Sequence, residues 1–520
     1  MKKTILTALC FLVSAGVLTA KTISIYHTSD VHGWYSARPA KWDKENSTRA
    51  IGGFAALSSL LKTEKNPYIL LDSGDMFQGT PEGNFTKGMS SIVLMNQLGY
   101  SAGLAGNHDY DYNEANFKTL VSSAAFPILG ANVYVKATGK HVGYLKPYVI
   151  IERAGKRIAV LGITGEHTSH STLPVNVAHL TFASEREETA KWMEEIRTRK
   201  PDAVVVLTHI GINGNFIGKK VDLSTITLTV EETDYRHGTV QIARAAKTAA
   251  VVIGGHNHTG LLKGYFDKPS STLIAESFQE LTHVTKVDLD FDDATGEFKS
   301  ARAELLPLWT DKTGQDSEVL KTISALSVGV DEEMDKVVSE TAVDLSFSPE
   351  GLDSSIGSWM TDAMRRQAGT DLAFQNTAGI RAGFNKGRIK MRDVYQIMPF
   401  ENTLVTLTMT GSQLLELVRD NLHHDRSNLQ VSGLSVKFHE SPDDKILEIR
   451  LEKGGKKIEP KDKFSVVTSN YMTTGGTGGR MFTKAGNLQD TLRTVRDALI
   501  TDLKENPITT APPGGRITRF

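Results

Sequence analysis

Five groups of polar side chains within the first 260 residues could bind metal ions, and an apolar run precedes each of them. They contain aspartate, histidine and asparagine, whereas the only cysteine, Cys10, precedes them all. Oxygen and imidazole ligands without thiolates suit hard to borderline divalent cations such as Mn, Zn, Co, Fe or Mg. The candidate ligands are Asp30, His32, Asp75, Asn107, His209, His256 and His258.

Strands of a sheet must bring these groups together. Short apolar runs predict strands, and segments with helical spacing, 54–61 and 184–198, lie between them. This alternation predicts an α/β sandwich with mixed sheets. Ligand sites in such sheets gather beyond the carboxyl ends of the strands, so we expect the seven side chains to surround two cations. The predicted strands are 23–26, 68–71, 158–161, 203–207 and 251–253.

Seven ligands for two ions leave coordination positions open for water and substrate, as a catalytic site requires. Asp75 is the natural bridge, since one ligand of a two-ion site must contact both ions. Taken singly, each group has a simpler interpretation, because a lone Asp-x-His or a single His after a strand is usually structural. Five such groups in this order, with Gly before Asp75, Asn107 and His256, favour one shared site.

The groups also resemble the ordered motifs of the calcineurin-like metallophosphoesterases, and the spacing from Asn107 to Asp111 resembles the 5'-nucleotidase/UDP-sugar hydrolase family. The resemblance implies an α/β (α+β) fold: a four-layer sandwich of two mixed β-sheets flanked by helices, a linker helix, and a second, smaller α/β substrate-binding domain. It also implies a metal-dependent phosphoric ester hydrolase in which a metal-bound hydroxide attacks phosphorus in line. The matching motifs are Asp30-x-His32, Gly74-Asp75-x-x-Gln78, Gly106-Asn107-His108-Asp109, Thr208-His209 and Gly254-Gly-His256-x-His258.

The resemblance divides the ligands between two divalent ions. One ion would be held by Asp30, His32, Asp75 and His258, and the other by Asp75, Asn107, His209 and His256. Relatives often have Gln or Asn at the position of His258, so this histidine could shift the metal preference toward a borderline ion.

His108, beside Asn107, is the candidate catalytic imidazole. Asp111 would orient it and stabilise its charge, which is the usual function of a His–carboxylate pair. The alternative is that Asp111 caps a helix that begins near Asn113.

The second domain carries two further motifs of the family. Asn376-Thr-Ala-Gly379-Ile-Arg381 resembles Asn-x-Gly-Gly-x-Arg, and Pro399-Phe400-Glu-Asn402 resembles Pro-Phe-x-Asn. The sequence departs from the family pattern at two places where relatives bind the substrate. Thr477 replaces a common Asp, and 346–350 lacks the Arg residues that relatives carry there. A surface Arg and a core Phe are the alternatives for Arg381 and Phe400. The resemblance assigns substrate binding to Arg381, Phe400, Asn402, Gly433 and Tyr471.

The organisation of the 520 residues follows from composition and patterning. Lys2 and Lys3, an apolar run over 5–18 and Ala20 predict a cleaved signal peptide, with a retained anchor as the alternative. The formal charge of −1 argues against a nucleic-acid polymer as partner. We expect a bacterial, periplasmic or secreted monomer that does not contact the membrane after cleavage. The predicted segments are a signal peptide (1–20), a calcineurin-like metallophosphoesterase domain (21–310), a linker helix (311–340) and a 5'-nucleotidase C-terminal domain (341–520).

The leading hypothesis is a 5'-nucleotidase that releases nucleoside and phosphate from a small nucleotide. A 2',3'-cyclic-nucleotide phosphodiesterase or a UDP-sugar hydrolase could use the same site. A nucleotide-binding surface protein without turnover is the alternative from another class. The presence of every ligand and of the His108–Asp111 pair argues against that alternative.

Overall fold

The computed structural model describes residues 22–212, 216–223, 228, 238–346, 352–443 and 445–520. The predicted signal peptide lies outside these residues, and so do residues 347–350 of the stretch that lacks arginine. Within the part of the chain that is described, none of the helices has the length and apolar character needed to cross a membrane.

Two mixed sheets form the centre of the first region. Each contains parallel neighbours and at least one antiparallel edge, as in many sheets covered by helices. Sheet A has the order Phe298–Pro307, His283–Phe291, Thr22–Thr28 and Tyr68–Asp72. Sheet B has the order Tyr265–Asp267, Thr272–Glu276, Val251–Gly254, Ala203–Thr208, Lys156–Ile163 and Tyr148–Arg153.

The two sheets face one another across a shared apolar layer. Alternation along a strand sends Ile25 into this layer and Tyr26 to the opposite face of sheet A. In sheet B, Val205 points into the same layer, whereas Val206 points outward. Helices cover both outer faces, so the predicted four-layer sandwich is confirmed. The covering helices are Phe54–Leu61, Met89–Leu98 and Asn113–Ser123 on sheet A, and Glu185–Thr198 and Thr239–Ala246 on sheet B.

Shorter elements complete the first region. The short helices are Pro81–Phe85, His108–Tyr110, Thr168–Ser171, Pro174–Val177 and Thr310–Thr313. The short strands are Arg38–Pro39, Ala50–Ile51, Gly103–Leu104, Ile128–Leu129, Val133–Val135, Lys140–His141, Leu180–Phe182, Lys220–Val221 and Gly260–Leu261.

The single linker helix predicted over 311–340 is wrong. Residues Ser317–Ser327 form one helix, which ends where Val328 leaves the helical region with ψ of 127°. A second helix, Val330–Met334, follows, and a strand then begins at Val337. The apolar spacing that predicted one helix continues across the break because both short helices pack their apolar faces inward: Ile323 and Met334 are buried.

The second region contains two more sheets and is α/β, as predicted. Sheet C has the order Leu429–Ser432, Leu372–Asn376, Lys463–Ser469, Thr403–Thr410 and Gly486–Thr494. Sheet D has the order Lys456–Lys457, Ile446–Lys453, Ser435–Glu440 and Ile517–Arg519. Strands Val337–Thr341 and Gly387–Lys390 pair separately. The helices are Ser355–Ala368, Thr377–Gly379, Met391–Ile397, Gly411–Asn421, Asn470–Thr473, Arg480–Lys484 and Val495–Glu505.

Candidate active site

The turns that follow the sheet strands hold the candidate ligands in an unusual backbone conformation. Asp30, His32, Asp75, His256 and His258 all have φ between 50° and 69°. Only a few per cent of non-glycine residues adopt this left-handed region, although Asp and His tolerate it better than most. Such conformations cost about 1–3 kcal/mol each and persist only where the surroundings impose them. The turns are therefore built to direct these side chains to one place.

Two groups of donor atoms form at the carboxyl ends of the strands. Within each group, one donor atom from every residue lies within 4.8 Å of the others. Asn107 lies next to the second group, because its Oδ1 is 3.1 Å from the Nε2 atom of His209. All seven predicted ligands are thus brought together. The first group is Asp30, His32 and His258, and the second is Asp75, His209 and His256.

The histidine geometry fits cation binding. The Nδ1–H groups of His32 and His209 donate to the carbonyls of Gln78 and Ser73, at 2.7 and 2.6 Å. Such bonds orient the rings and leave each Nε2 atom directed into the site. The Nε2 atom of His32 then lies 3.0 Å from the Nε2 atom of His258. Burial lowers the pKa of His32 to about 3 and the pKa of His258 well below its usual value, so both rings are neutral.

Asp75 belongs to the second group and also approaches the first. Its Oδ2 atom is 3.1 Å from Nε2 of His209 and 3.9 Å from Nε2 of His32. Its Oδ1 atom accepts a hydrogen bond from the backbone N–H of His108 at 2.8 Å. The turn around Asp75 is held by Asp109, whose carboxylate accepts backbone N–H bonds from Asp75, Met76 and Gly106.

The candidate catalytic pair is formed. Nδ1 of His108 donates to Oδ2 of Asp111 at 2.7 Å, and the other oxygen of Asp111 accepts from Thr172 Oγ1. Burial alone would lower the pKa of His108, but the carboxylates of Asp111 and Asp75 more than offset it, so this pKa is raised. The helix-capping alternative for Asp111 is wrong, because the helix begins after Tyr112 and Asn113 accepts the N–H of Asn116.

A cavity of about 430 Å³ opens onto these groups and is lined by both regions. Arg381 reaches across to the first donor group, with Nη2 3.4 Å from Nε2 of His32. Phe400 stacks on His108 with ring centroids 5.5 Å apart, and the hydroxyl of Tyr471 donates to the carbonyl of His170 at 2.9 Å. Four of the five predicted substrate-binding residues line the cavity: Arg381, Phe400, Asn402 and Tyr471.

Gly433 is the exception, since it does not line this cavity. It lies in the turn between Leu429–Ser432 and Ser435–Glu440, with φ of 75°. A Cβ atom there would overlap the carbonyl oxygen of Asp371. Backbone geometry is enough to require a glycine here, and its assignment to substrate binding stays a prediction.

The sequence reasoning missed other residues that line the cavity, including Asn376, His170 and His167. His167 stacks face to face on His256, with ring centroids 3.8 Å apart. A signal for it was available, because His167 follows the strand Lys156–Ile163 just as the candidate ligands follow their strands. That strand was predicted, but no site residue was assigned to its carboxyl end.

Comparisons with known proteins agree with this geometry. The family model for the calcineurin-like phosphoesterase matches residues 23–260, and the model for the 5'-nucleotidase C-terminal domain matches residues 337–484. The trifunctional nucleotide phosphoesterase YfkN of Bacillus subtilis is 26% identical over 90% of this chain, which spans only 33% of that relative. The 5'-nucleotidase of Vibrio cholerae is 25% identical over 88% of this chain and 85% of that protein.

The same likeness is found among solved structures. That of a 5'-nucleotidase precursor from Thermus thermophilus superposes with a TM-score of 0.82 and 25% identity, covering 96% of this chain and 99% of that chain. The chain therefore joins a domain of the calcineurin-like phosphoesterase family to a domain of the 5'-nucleotidase C-terminal family.

Proposed function

We propose that this protein is an exported 5'-nucleotidase that hydrolyses small nucleotides to nucleoside and phosphate at a pair of divalent cations. One observation carries the proposal: both donor groups, the His108–Asp111 pair and Arg381 meet at one cavity that Phe400 and Tyr471 also line. The names of the relatives, a 5'-nucleotidase and a nucleotide phosphoesterase, support the same substrate class.

The donor sets fit two cations. Asp30, His32 and His258 would hold one, and His209, His256 and Asn107 the other, with the carboxylate of Asp75 shared between them. When bound, such ions acidify a water molecule and neutralise charge on phosphoryl oxygens. The imidazoles and buried carboxylates match borderline divalent ions better than Ca²⁺, which prefers oxygen ligands alone.

His108 would serve as the positively charged donor at the phosphoryl group. Because Asp111 accepts its Nδ1–H, the Nε2–H remains for a phosphoryl oxygen or for the leaving oxygen. The raised pKa keeps this imidazole protonated over a wider pH range. A fixed charge held in place beside the phosphoryl group stabilises the negative charge that develops there more strongly than mobile water does.

Arg381 and the aromatic residues would read the nucleotide. A guanidinium suits a phosphate oxygen because its planar donors can bind two acceptors at once. Tyr471 and Phe400 offer aromatic faces on which any base can stack, each worth about 1–3 kcal/mol. Asn402 adds an amide that can hydrogen-bond a base edge.

A substrate panel across several divalent ions tests the proposal. Purified protein with Mn or Co should release phosphate from AMP or UMP, and a chelator should abolish this release. Hydrolysis of 2',3'-cyclic nucleotides or UDP-glucose without hydrolysis of AMP would replace the 5'-nucleotidase assignment. Nucleotide binding without turnover under every ion would refute it.

Export is supported by the charged and apolar pattern over 1–20. Expression of the full chain in a Gram-negative host should place the protein in the periplasmic fraction, and N-terminal sequencing of that product should begin near Lys21. Recovery only from membranes with an intact N-terminus would favour the retained anchor.

A further inference from the structure

The histidine ligands of the two donor groups are oriented in different ways. His32 and His209 each donate Nδ1–H to a backbone carbonyl, which fixes the plane of the ring. The ring of His256 has no hydrogen bond to any residue in the described ranges, although its backbone N–H donates to Asp30. A ligand ring without such a bond can rotate about its χ angles, which weakens metal binding. Among the described residues, a contact other than a hydrogen bond must therefore hold His256.

The ring of His167 covers one face of His256. Their centroids are 3.8 Å apart and the planes differ by 29°. Gly165 makes room for this arrangement, since a Cβ atom at that position would overlap the His167 ring. His167 belongs to neither donor group and contacts the second group through its ring, which stacks on His256 and has its centroid 6.3 Å from that of His209.

The polar atoms of His167 do not explain its position. Its Nε2 atom is buried and has no hydrogen-bond partner among the described residues, an arrangement that ordinarily costs about 1–3 kcal/mol. An aromatic face is favourable beside a ring that carries the charge of a bound cation.

We propose that His167 is the positioning residue for His256, and that ring stacking does for this ligand what backbone carbonyls do for His32 and His209. The inference rests on the proposed function, in which the group of Asp75, His209 and His256 binds one of two cations. It assigns to the turn after Lys156–Ile163 a role in metal affinity that the ligand motifs do not contain.

Two variants remove the stack by different routes. His167→Ala deletes the ring, and Gly165→Ala keeps it but displaces it from His256. Both should lose one cation on dialysis, so the metal content falls from two ions per chain to one, with affinity for that ion weakened about 10–100-fold. Metal analysis and the visible absorption of the Co²⁺-loaded protein provide readouts that do not depend on activity. His179→Ala, an exposed histidine of the same region, is the matched control and should retain both ions.

His167→Phe provides the decisive comparison, because it keeps a flat ring but has no nitrogen. It should retain both ions, and its thermal denaturation midpoint should be at least that of the unmodified protein, since the unpartnered Nε2 is gone. Two outcomes overturn the inference: full metal content in both alanine variants, or loss of the ion in His167→Phe, which would make a nitrogen of His167 the important group. Absence of divalent-ion binding in the unmodified protein would instead refute the proposed function.

Discussion

At the residue scale, the site depends on side chains that the backbone presents in strained turns. Five of the candidate ligands have positive φ, so each turn holds its residue in a conformation that the isolated chain would avoid. The energy for this comes from the buried strands on either side. Substitutions at the ligands should therefore affect metal binding far more than folding.

The His108–Asp111 pair predicts a specific pH dependence. His108→Ala should lower kcat by about 10²–10⁴-fold, which is the usual contribution of a positioned acid or base. Asp111→Asn removes the carboxylate that raises the pKa of His108, so the protonated form should be lost at lower pH. The alkaline limb of the pH–kcat profile should then move to lower pH, as measured with a saturating nucleotide. An unchanged alkaline limb would show that His108 does not titrate in this step.

His258 predicts a change in metal preference. Its Nε2 atom lies 3.6 Å from Oδ1 of Asp30 and 3.0 Å from Nε2 of His32, within the first group. An imidazole is a borderline-soft ligand. His258→Gln replaces the imidazole with an amide oxygen, which favours harder ions. The ratio of Zn- to Mg-supported activity should fall, while activity with Mn persists. A parallel loss with all three ions would mean that the histidine has no selective role.

At the element scale, the turn before Asp75 packs closely against the turn before Asn107. Gly74 has φ of 92°, and a Cβ atom there would lie 2.5 Å from the backbone N of Gly106. Gly74→Ala should therefore separate the Asp75 turn from the Asn107 turn, destabilise the protein by more than the about 1–3 kcal/mol of backbone strain, and weaken metal binding.

Urea denaturation with and without divalent ions measures this effect. Gly139→Ala is the matched control, because Gly139 also has positive φ, 63°, but a Cβ atom there has open space around it. The control should lose only about 1–2 kcal/mol and keep its metal content. Equal losses in the two variants would show that backbone strain alone, rather than the close approach to Gly106, accounts for the change.

Much of the secondary structure was predictable from the sequence. The strands at 23–26, 203–207 and 251–253 appear where short apolar runs indicated them, because both faces of these strands are buried. The helix Phe54–Leu61 appears where helical spacing indicated it. The break in the linker helix was not predicted, since apolar spacing continues across Val328. His167 was missed because it acts through a ring face, which no ligand motif records. The domain boundaries near 310 and 341 stay predictions.

At the scale of the whole molecule, the cavity requires the two regions to meet. Arg392, in the helix Met391–Ile397, pairs with Glu82 of the first region and with Asp331 of the linker. Nearby, side-chain amides of the first region reach the backbone of the Phe400 loop. We expect these contacts to determine how far Arg381 lies from the donor groups.

Removal of the Arg392 pair should loosen this arrangement. Arg392→Gln is expected to cost about 0.2–1 kcal/mol, because the pair is partly exposed. Small-angle X-ray scattering should show a larger radius of gyration, and the KM for nucleotide should rise more than kcat falls. Arg388→Gln, which removes an exposed arginine that pairs with Glu340 inside the second region, is the control. Identical scattering of both variants and the unmodified protein would mean that Arg392 does not hold the regions together.

The hydrogen bonds to the carbonyl of Pro399 bear on which step limits the rate of turnover. This carbonyl accepts two hydrogen bonds at once, from Gln78 Nε2 at 2.9 Å and Asn84 Nδ2 at 2.6 Å, and it immediately precedes the aromatic ring that covers His108. A departing nucleoside that must pass this ring would wait for both bonds to break, each worth about 0.5–1.5 kcal/mol. Release of the nucleoside, rather than cleavage of the ester bond, would then limit the rate. Added viscogen would slow steady-state turnover while leaving the first, burst-phase turnover unchanged.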